Sequence, residues 1–169
     1  MAERVQRSAL VVTVSNRASA GVYADDSGPV VADGLRGMGF SVDGPVVVPD
    51  GDPVEEALRD AVAAGYDVVV TNGGTGLSPL DLTPERTRRV LDYDVPGVPE
   101  AIRAAGVAKG VPTAVLSRGL AGVAGRTFVV NLPGSPGAAR DGVQVLSGFL
   151  AHAVEQLHGA DHRRAGGNP

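Results

Sequence analysis

The chain has 169 residues, of which 43% are hydrophobic, a formal net charge of −4 and no cysteine. This length suffices for one core, and the acidic balance argues against a basic face for nucleic acid, so we expect no nucleic-acid partner. The lack of cysteine excludes disulfides and thiolate metal sites, and no apolar run suggests a signal peptide or a membrane span, so we expect a cytoplasmic protein without membrane association.

The first third of the chain predicts two strands separated by a helix. An apolar, β-branched run indicates a strand over residues 9–14, and the polar stretch 15–29 is long enough to be functional or mobile. A helix is expected over 30–38 and a second strand over 40–48. Gly44-Pro45 interrupts that strand, which favours a position at the edge of a sheet.

Asp50 and Asp52 follow the second strand and have different explanations. Asp52 is suited to be the N-cap of a helix that has Pro53 at its first position and ends at Gly65. Asp50 lies outside both the strand and the helix. It is therefore either an ordinary turn residue or a ligand-binding carboxylate.

A glycine-rich loop follows the next strand, which is predicted over residues 68–70 as a run of three valines buried on both faces of a parallel sheet. Three glycines then occur within four residues, namely Gly73, Gly74 and Gly76. Such a loop exposes main-chain N–H groups that bind anions. Neither the P-loop pattern nor the dinucleotide-binding fingerprint fits it. Thr83 and Pro84 then predict the N-cap and the first residue of a helix.

The second half of the chain adds further helices and a β-hairpin. The sequence predicts helices over 83–91 and 99–108 and strands over 113–116 and 127–132. The glycine-rich turn 122–126 indicates that the last strand runs antiparallel to the one before it.

A long amphipathic helix closes the chain. Ser135 is its predicted N-cap, Pro136 its first residue, and apolar positions continue on one face to residue 157. We expect a single domain over residues 1–159 and a disordered tail over 160–169. The alternation of strands and helices predicts a three-layer α/β/α fold with a mostly parallel mixed sheet and one antiparallel strand.

The predicted strand ends and helix N-termini indicate what kind of ligand the protein binds. In open α/β sheets ligands bind beyond the carboxyl ends of the strands, which places the glycine loop, Asp50 and Ser135 at one rim. Helix N-termini and bare N–H groups attract phosphate, but carboxylates beside phosphate repel it unless a cation intervenes. Mg²⁺ uses one or two carboxylates with waters and substrate phosphates, so Asp50 and Asp81 are candidate ligands. The residues predict Mg²⁺-dependent handling of a phosphorylated ligand.

Three motifs resemble one known family. The segment beginning at Thr71 has the pattern T-x-G-G-T-G-x-x-x-x-D-x-T-P-E, the segment at Leu116 has L-S-R-x-x-A-G-x-x-G, and the segment at Leu132 has L-P-G-S-P-x-A. Together they resemble the molybdopterin adenylyltransferase family, the Mog/MoaB-type proteins of molybdenum cofactor biosynthesis. The resemblance extends over residues 10–157. It also includes S-x-R-x-S-x-G-x-x-x-D-x-S-G-P in the first long loop, where Asn16 replaces an aspartate common in the relatives.

The resemblance implies a reaction. The terminal phosphate of molybdopterin would attack the α-phosphate of ATP in the presence of Mg²⁺, giving adenylylated molybdopterin and pyrophosphate. Asp50 and Asp81 would be the catalytic carboxylates and the metal ligands. The phosphate-bearing ligand would be held by Gly73, Gly74, Thr75 and Gly76. The pterin or nucleotide side would be lined by Ser117, Gly134 and Ser135.

The same resemblance implies a homotrimer and the hand-over of product to a molybdate-insertion protein. Two alternatives remain open. One is a protein of the same fold that binds the pterin without adenylylating it. The other is an interaction module, since molybdate-insertion proteins contain a domain of similar fold in much longer chains.

Overall fold

The computed structural model describes residues 6–159, which form six strands and seven α-helices. The strands are β1 (Ser8–Val14), β2 (Ser41–Val48), β3 (Val68–Asn72), β4 (Tyr93–Asp94), β5 (Ala121–Ala124) and β6 (Thr127–Leu132). The helices are α1 (Asn16–Ser19), α2 (Gly28–Gly37), α3 (Asp52–Ala64), α4 (Thr83–Arg88), α5 (Gly97–Ala108), α6 (Pro136–Ser147) and α7 (Leu150–Leu157). The predicted tail over 160–169 lies outside the described residues.

The strands form one mixed sheet in the order β2-β1-β3-β6-β5-β4. Neighbouring strands from β2 to β6 pair in parallel, and β5 pairs antiparallel with both β6 and β4. The predicted fold class is therefore confirmed, including its single antiparallel strand. The edge position predicted for the strand with Gly44-Pro45 is confirmed as well, and its register with β1 shifts beside those residues.

Helices cover both faces of the sheet because alternate residues of the central strands enter two separate cores. Val68 and Val70 of β3 pack in the core formed with α2, α5, α6 and α7, whereas Val69 packs in the core formed with α3. All five residues of β3 are buried. This confirms a strand covered on both faces and accounts for its uninterrupted apolar run.

The prediction of a strand over residues 113–116 is wrong. Pro112–Leu116 forms a 3-10 helix in which Val115 is 60% exposed. The antiparallel partner of β6 is instead β5, joined to it by a tight turn in which Gly125 has φ 60°. Small residues make β5 hard to recognise, but a Cβ at Gly122 would lie 2.4 Å from the Tyr93 carbonyl oxygen of β4. The close approach of β4, a strand the sequence did not predict, explains the glycine.

Two of the three predicted N-caps are also wrong. The N-cap of α3 is Gly51, with φ 98°, and Asp52 is the first helical residue. The N-cap of α4 is Leu82, and Thr83 lies fully buried inside the helix. The Ser135 cap is confirmed, because its hydroxyl oxygen accepts the Ala138 N–H at 3.2 Å.

Several helices differ in extent from the predictions. The helix predicted from 136 to 157 is two helices, α6 and α7, separated at Gly148 and Phe149. The Phe149 ring packs edge-on against Phe128, with centroids 6.2 Å apart. In addition, α4 ends at Arg88, α2 begins at Gly28, and the short helix α1 lies within the predicted loop. Within residues 6–159, no helix combines the length and apolarity needed to cross a membrane.

Candidate functional site

The carboxyl ends of the parallel strands meet at one rim, where two adjoining cavities of about 420 and 520 Å³ open. The first cavity lies against the end of β1, the long loop after β1 and the turn after β2, and the second lies against α5 and the 3-10 helix. Gly74, Asp81 and Gly134 line both. The structure brings all nine predicted site residues to these cavities: Asp50 and Gly73 line the first, and Thr75, Gly76, Ser117 and Ser135 line the second.

The glycine loop has a backbone that other residues adopt with difficulty. Gly73 has φ 102°, and a Cβ there would lie 2.2 Å from the Val14 carbonyl oxygen. Gly74 has φ 67°, and a Cβ there would lie 2.2 Å from Thr83 Oγ1 and 2.4 Å from Asp50 Oδ2. The Gly73 N–H donates to the Leu132 carbonyl at 3.0 Å. The N–H groups of the next three residues, 74–76, make no hydrogen bond to any residue in the described chain, so they are available to an anion.

Backbone N–H groups from two separate segments hold the Asp50 side chain. Its Oδ1 accepts the Gly51 N–H at 2.7 Å and the Leu82 N–H at 3.2 Å. Its own N–H donates to Asn16 Oδ1 at 2.9 Å. Asn16 therefore acts as a hydrogen-bond acceptor, a role that an aspartate at this position could also fill.

The pKa of the Asp50 carboxyl is raised, mainly by burial, although the hydrogen bonds from the Gly51 and Leu82 N–H groups lower it. The negative charges of Asp81 and Glu85 raise the pKa further. A cation beside Asp50 would relieve both causes, because it compensates for lost solvation and screens the neighbouring carboxylates.

Asp81 is held differently. Its carboxylate makes no hydrogen bond or ion pair with any residue of the described range. A Cβ on Gly76 would lie 2.8 Å from Asp81 Oδ2, so the carboxylate rests directly against the glycine loop. Asp81 thus places a carboxylate that is available to a ligand at the junction of the two cavities.

The donor set suits Mg²⁺. No group of three or more His, Cys, Asp or Glu residues within residues 6–159 could hold a metal ion by itself. Two carboxylates are present, and Thr83 Oγ1, buried without a hydrogen-bond partner in the described structure, is an additional oxygen next to Gly74. A cation bound here would need oxygens from water and from a ligand, which is how Mg²⁺ is usually held beside phosphates.

The second cavity combines an apolar wall with a few polar groups. Its apolar lining comes from Ile102, Val111, Ala114, Leu116, Pro133 and Ala138. Ser117 donates to Thr75 Oγ1 at 3.3 Å, and Arg103 donates to the carbonyl oxygens of Ser117 and Gly119 at 3.2 and 3.4 Å. Such a surface suits a flat heterocyclic ring with polar substituents.

The first cavity contains a polar network that the sequence did not single out. Thr13 Oγ1 lies 2.7 Å from Asp25 Oδ2 and 3.1 Å from Asn72 Oδ1, and Asn72 Nδ2 donates to Ser27 Oγ at 2.6 Å. Asp25 also accepts the Gly28 N–H at 2.9 Å, at the start of α2. The D-x-S-G part of the first-loop motif was the available signal, because it contains Asp25, Ser27 and Gly28.

Arg118 is a further residue that sequence reasoning missed. It contacts the glycine loop and the loop that carries Asp81, and it lines neither cavity. The signal was its place in L-S-R-x-x-A-G-x-x-G, but the residues that its side chain contacts are 33 to 42 positions away along the chain.

Comparison with known proteins gives a consistent result. A family model described as "Probable molybdopterin binding domain" matches residues 10–152. The solved structure of the molybdopterin biosynthesis Mog protein from Mycobacterium ulcerans is 55% identical, with a TM-score of 0.85 over 89% of this chain and 99% of that chain. The molybdopterin biosynthesis enzyme MoaB from Thermus thermophilus is 41% identical, with a TM-score of 0.84 over 91% of this chain and 98% of that chain.

Curated relatives include proteins of different lengths. A molybdopterin adenylyltransferase from Helicobacter pylori is 34% identical over 155 residues, covering 88% of this chain and 86% of that protein. A molybdenum cofactor biosynthesis bifunctional protein from Chlorobaculum tepidum is 40% identical over 163 residues, covering 95% of this chain and 51% of that protein. The chain therefore spans about half the length of the bifunctional relatives it matches.

Proposed function

The chain belongs to the molybdopterin-binding family that contains the Mog and MoaB proteins of molybdenum cofactor biosynthesis, and from this premise we propose that it is a Mg²⁺-dependent molybdopterin adenylyltransferase. One observation carries the proposal. Two carboxylates flank a glycine loop at the junction of two cavities, and the N–H groups of loop residues 74–76 have no hydrogen-bond partner within residues 6–159. Such a junction suits a reaction that joins two phosphorylated ligands.

The proposed reaction is a phosphoryl substitution. An oxygen of the terminal phosphate of molybdopterin attacks the α-phosphorus of ATP, a new P–O–P bond forms, and the bond to pyrophosphate breaks. The attacking group is already a nucleophile, so no covalent enzyme intermediate is needed. Catalysis then consists of positioning and charge neutralisation.

The residues divide this task between binding and electrostatics. The N–H groups of Gly74, Thr75 and Gly76 would bind phosphate oxygens at the junction, with Gly73, Gly134 and Ser135 shaping the space around them. Ser117 would lie beside the ring-binding part of the second cavity.

Asp50 and Asp81 would hold Mg²⁺, with Asp81 offering the carboxylate that has no other partner in residues 6–159. When bound, Mg²⁺ supplies Lewis-acid stabilisation of the charge that develops on the transferred phosphate and on pyrophosphate.

The direct test is formation of adenylylated molybdopterin and pyrophosphate from molybdopterin and ATP, with and without Mg²⁺. The expected result is product only with the metal. A protein that binds pterin but forms no adenylate under any metal condition contradicts the proposal.

One observation favours the non-catalytic alternative. Asp50 accepts hydrogen bonds from Gly51 and Leu82, so it has a structural role whether or not a metal binds. A pterin-binding protein of the same fold could keep Asp50 for that reason alone. Titration with molybdopterin, scored separately from turnover, distinguishes the two functions.

Family membership also leads us to propose a homotrimer, a single domain over residues 1–159, and delivery of the product to a molybdate-insertion protein. Light scattering on the purified chain tests the trimer. Retention of the chain on an immobilised insertion protein, with and without bound product, tests the delivery.

A further inference from the structure

Arg118 holds together the two ends of the loop that carries Asp81. We define the Asp81 loop as residues 76–81. Arg118 Nε donates to the Gly76 carbonyl at 2.8 Å, and its Nη2 donates to the Asp81 carbonyl at 2.8 Å. The Arg118 backbone N–H donates to the Thr75 carbonyl at 2.8 Å. One residue therefore binds three carbonyl groups, those of Thr75, Gly76 and Asp81, and it lines neither ligand cavity.

These contacts orient the peptide groups of the loop. In a trans peptide the N–H points opposite to the carbonyl of the preceding residue. Because Arg118 binds the Thr75 carbonyl, the Gly76 N–H is turned away from Arg118, and Gly76 lines the second cavity. Because Arg118 binds the Asp81 carbonyl, the Leu82 N–H is turned away as well, and it donates to Asp50.

The Asp81–Leu82 peptide is thus held from two sides, by Arg118 at its oxygen and by Asp50 at its nitrogen. The Asp81 side chain has no hydrogen-bond partner within residues 6–159 to fix it. The position of its carboxylate is set by the Asp81 backbone and by contact with Gly76. The position of the carboxylate therefore depends on the contacts that Arg118 makes.

Glu85 fixes Arg118 in turn. Arg118 Nη1 forms a hydrogen-bonded ion pair with Glu85 Oε1, in the first turn of α4. The Arg118 guanidinium is the main cause of the lowered pKa of Glu85. The loop ends, the guanidinium and the helix form one connected unit.

We propose that Arg118 is a positioning residue for adenylyl transfer, which acts by holding the Asp81 carboxylate against Gly76 at the junction of the two cavities. This inference rests on the proposed function. Arg118 lines neither cavity and is not a catalytic residue. Its fork of donors is essential to the role, because Arg118 binds two carbonyls and a carboxylate from three different nitrogens, whereas a lysine keeps the charge but has all its donors on one nitrogen.

The test compares Arg118→Lys with Arg88→Lys. Arg88 is a matched control because it lies in the same helix as Glu85, forms an exposed ion pair with Asp94 and lines neither cavity. We expect Arg118→Lys to lower the rate of adenylate formation by roughly tenfold to a hundredfold, the scale of a misplacement of about 1 Å. Arg88→Lys should leave the rate unchanged.

A double-mutant cycle separates positioning from general loosening. If Arg118 acts through Asp81, Arg118→Lys should have almost no further effect on the rate in an Asp81→Asn background. Full additivity of the two substitutions overturns the proposal, as does wild-type activity of Arg118→Lys. Arg118→Gln serves as a second variant should the lysine protein fail to fold.

Hydrogen exchange supplies a readout that needs no turnover. The Leu82 amide should exchange faster in Arg118→Lys than in the wild type, whereas amides of β3 should not change. Unchanged exchange at Leu82 overturns the positioning role. A wild type without adenylyl transfer contradicts the proposed function and leaves this exchange result interpretable.

Discussion

The turn that carries Asp50 and the loop that carries Asp81 bring two carboxylates to the same rim but hold them in different ways. Asp50 is fixed by N–H groups of Gly51 and Leu82, and burial raises its pKa. Asp81 has no side-chain partner in residues 6–159 and rests against Gly76. The difference indicates that Asp50 has a structural role in addition to its proposed role in ligand binding, whereas the Asp81 side chain has only the proposed role in ligand binding.

The largest expected effect is that of Asp81→Asn on turnover. Loss of its charge should reduce adenylate formation roughly a thousandfold, about 4 kcal/mol of transition-state stabilisation, because the metal site loses its freest ligand. The free energy of unfolding should change by no more than about 0.5 kcal/mol, as for other partly exposed carboxylates without partners. Rate assays and denaturant unfolding of both proteins provide the measurement.

Asp50→Asn is the matched comparison for that prediction. We expect it to lower the rate as well, but also to alter folding, since the Gly51 and Leu82 N–H groups then face an amide. If both variants behave alike in stability, the distinction between the two carboxylates is wrong.

The glycine loop gives the next largest effect. Gly74→Ala should cost about 1–2 kcal/mol of unfolding free energy from its positive φ alone, with a further cost from the clash with Thr83 Oγ1 and Asp50 Oδ2. Gly76 does not have a positive φ, and a Cβ added there would approach only the Asp81 carboxylate, with Oδ2 at 2.8 Å. Gly76→Ala should fold normally and lose activity. Thermal melting and rate assays of the pair test this, and equal melting temperatures would contradict it.

Stability should depend on pH through Asp50. Burial raises the pKa of Asp50 above its ordinary value of 3.8, so the folded protein binds this proton more tightly than the unfolded chain does. The ionised carboxylate therefore costs stability above the folded-state pKa. That cost decreases as the pH falls through the folded-state pKa, and it is gone below the ordinary value of 3.8.

Melting temperatures of wild type and Asp50→Asn, compared from about pH 4 to about pH 7, provide the measurement. The difference should shift in favour of the mutant as the pH rises, because the asparagine does not ionise. A difference between the two proteins that stays constant over this range would show that burial of the Asp50 carboxylate has no effect on stability.

The smallest effects are expected at the N-termini of α6 and α3. Ser135→Ala removes a hydroxyl that accepts the Ala138 N–H, and should cost about 1 kcal/mol of unfolding free energy. Asp52→Ala removes no cap and breaks an ion pair with Arg86 in which the Asp52 side chain is 76% exposed, while Arg86 keeps Glu55 as a second partner, so about 0.5 kcal/mol or less is expected. Denaturant unfolding of the two variants tests the assignment, which fails if Asp52→Ala costs as much as Ser135→Ala.

The sequence alone determined the features that depend on local spacing. The buried run of β3, the glycine loop after it and the Ser135 cap are each specified by neighbouring residues. The alternation of strands and helices then predicted the layered sheet, and the carboxyl ends of its strands predicted where Asp50 and Asp81 meet. The site roles of these residues remain predictions.

The tertiary structure alone decided the features that depend on distant partners. Gly122 is a strand residue because the Tyr93 backbone approaches it, although its own segment has little β-propensity. Gly51, rather than Asp52, precedes α3, and its N–H is bound by Asp50. Arg118 reaches carbonyls 37 and 42 residues away, which no local pattern reveals. Contacts of this range exist only once the sheet has brought its strand ends together.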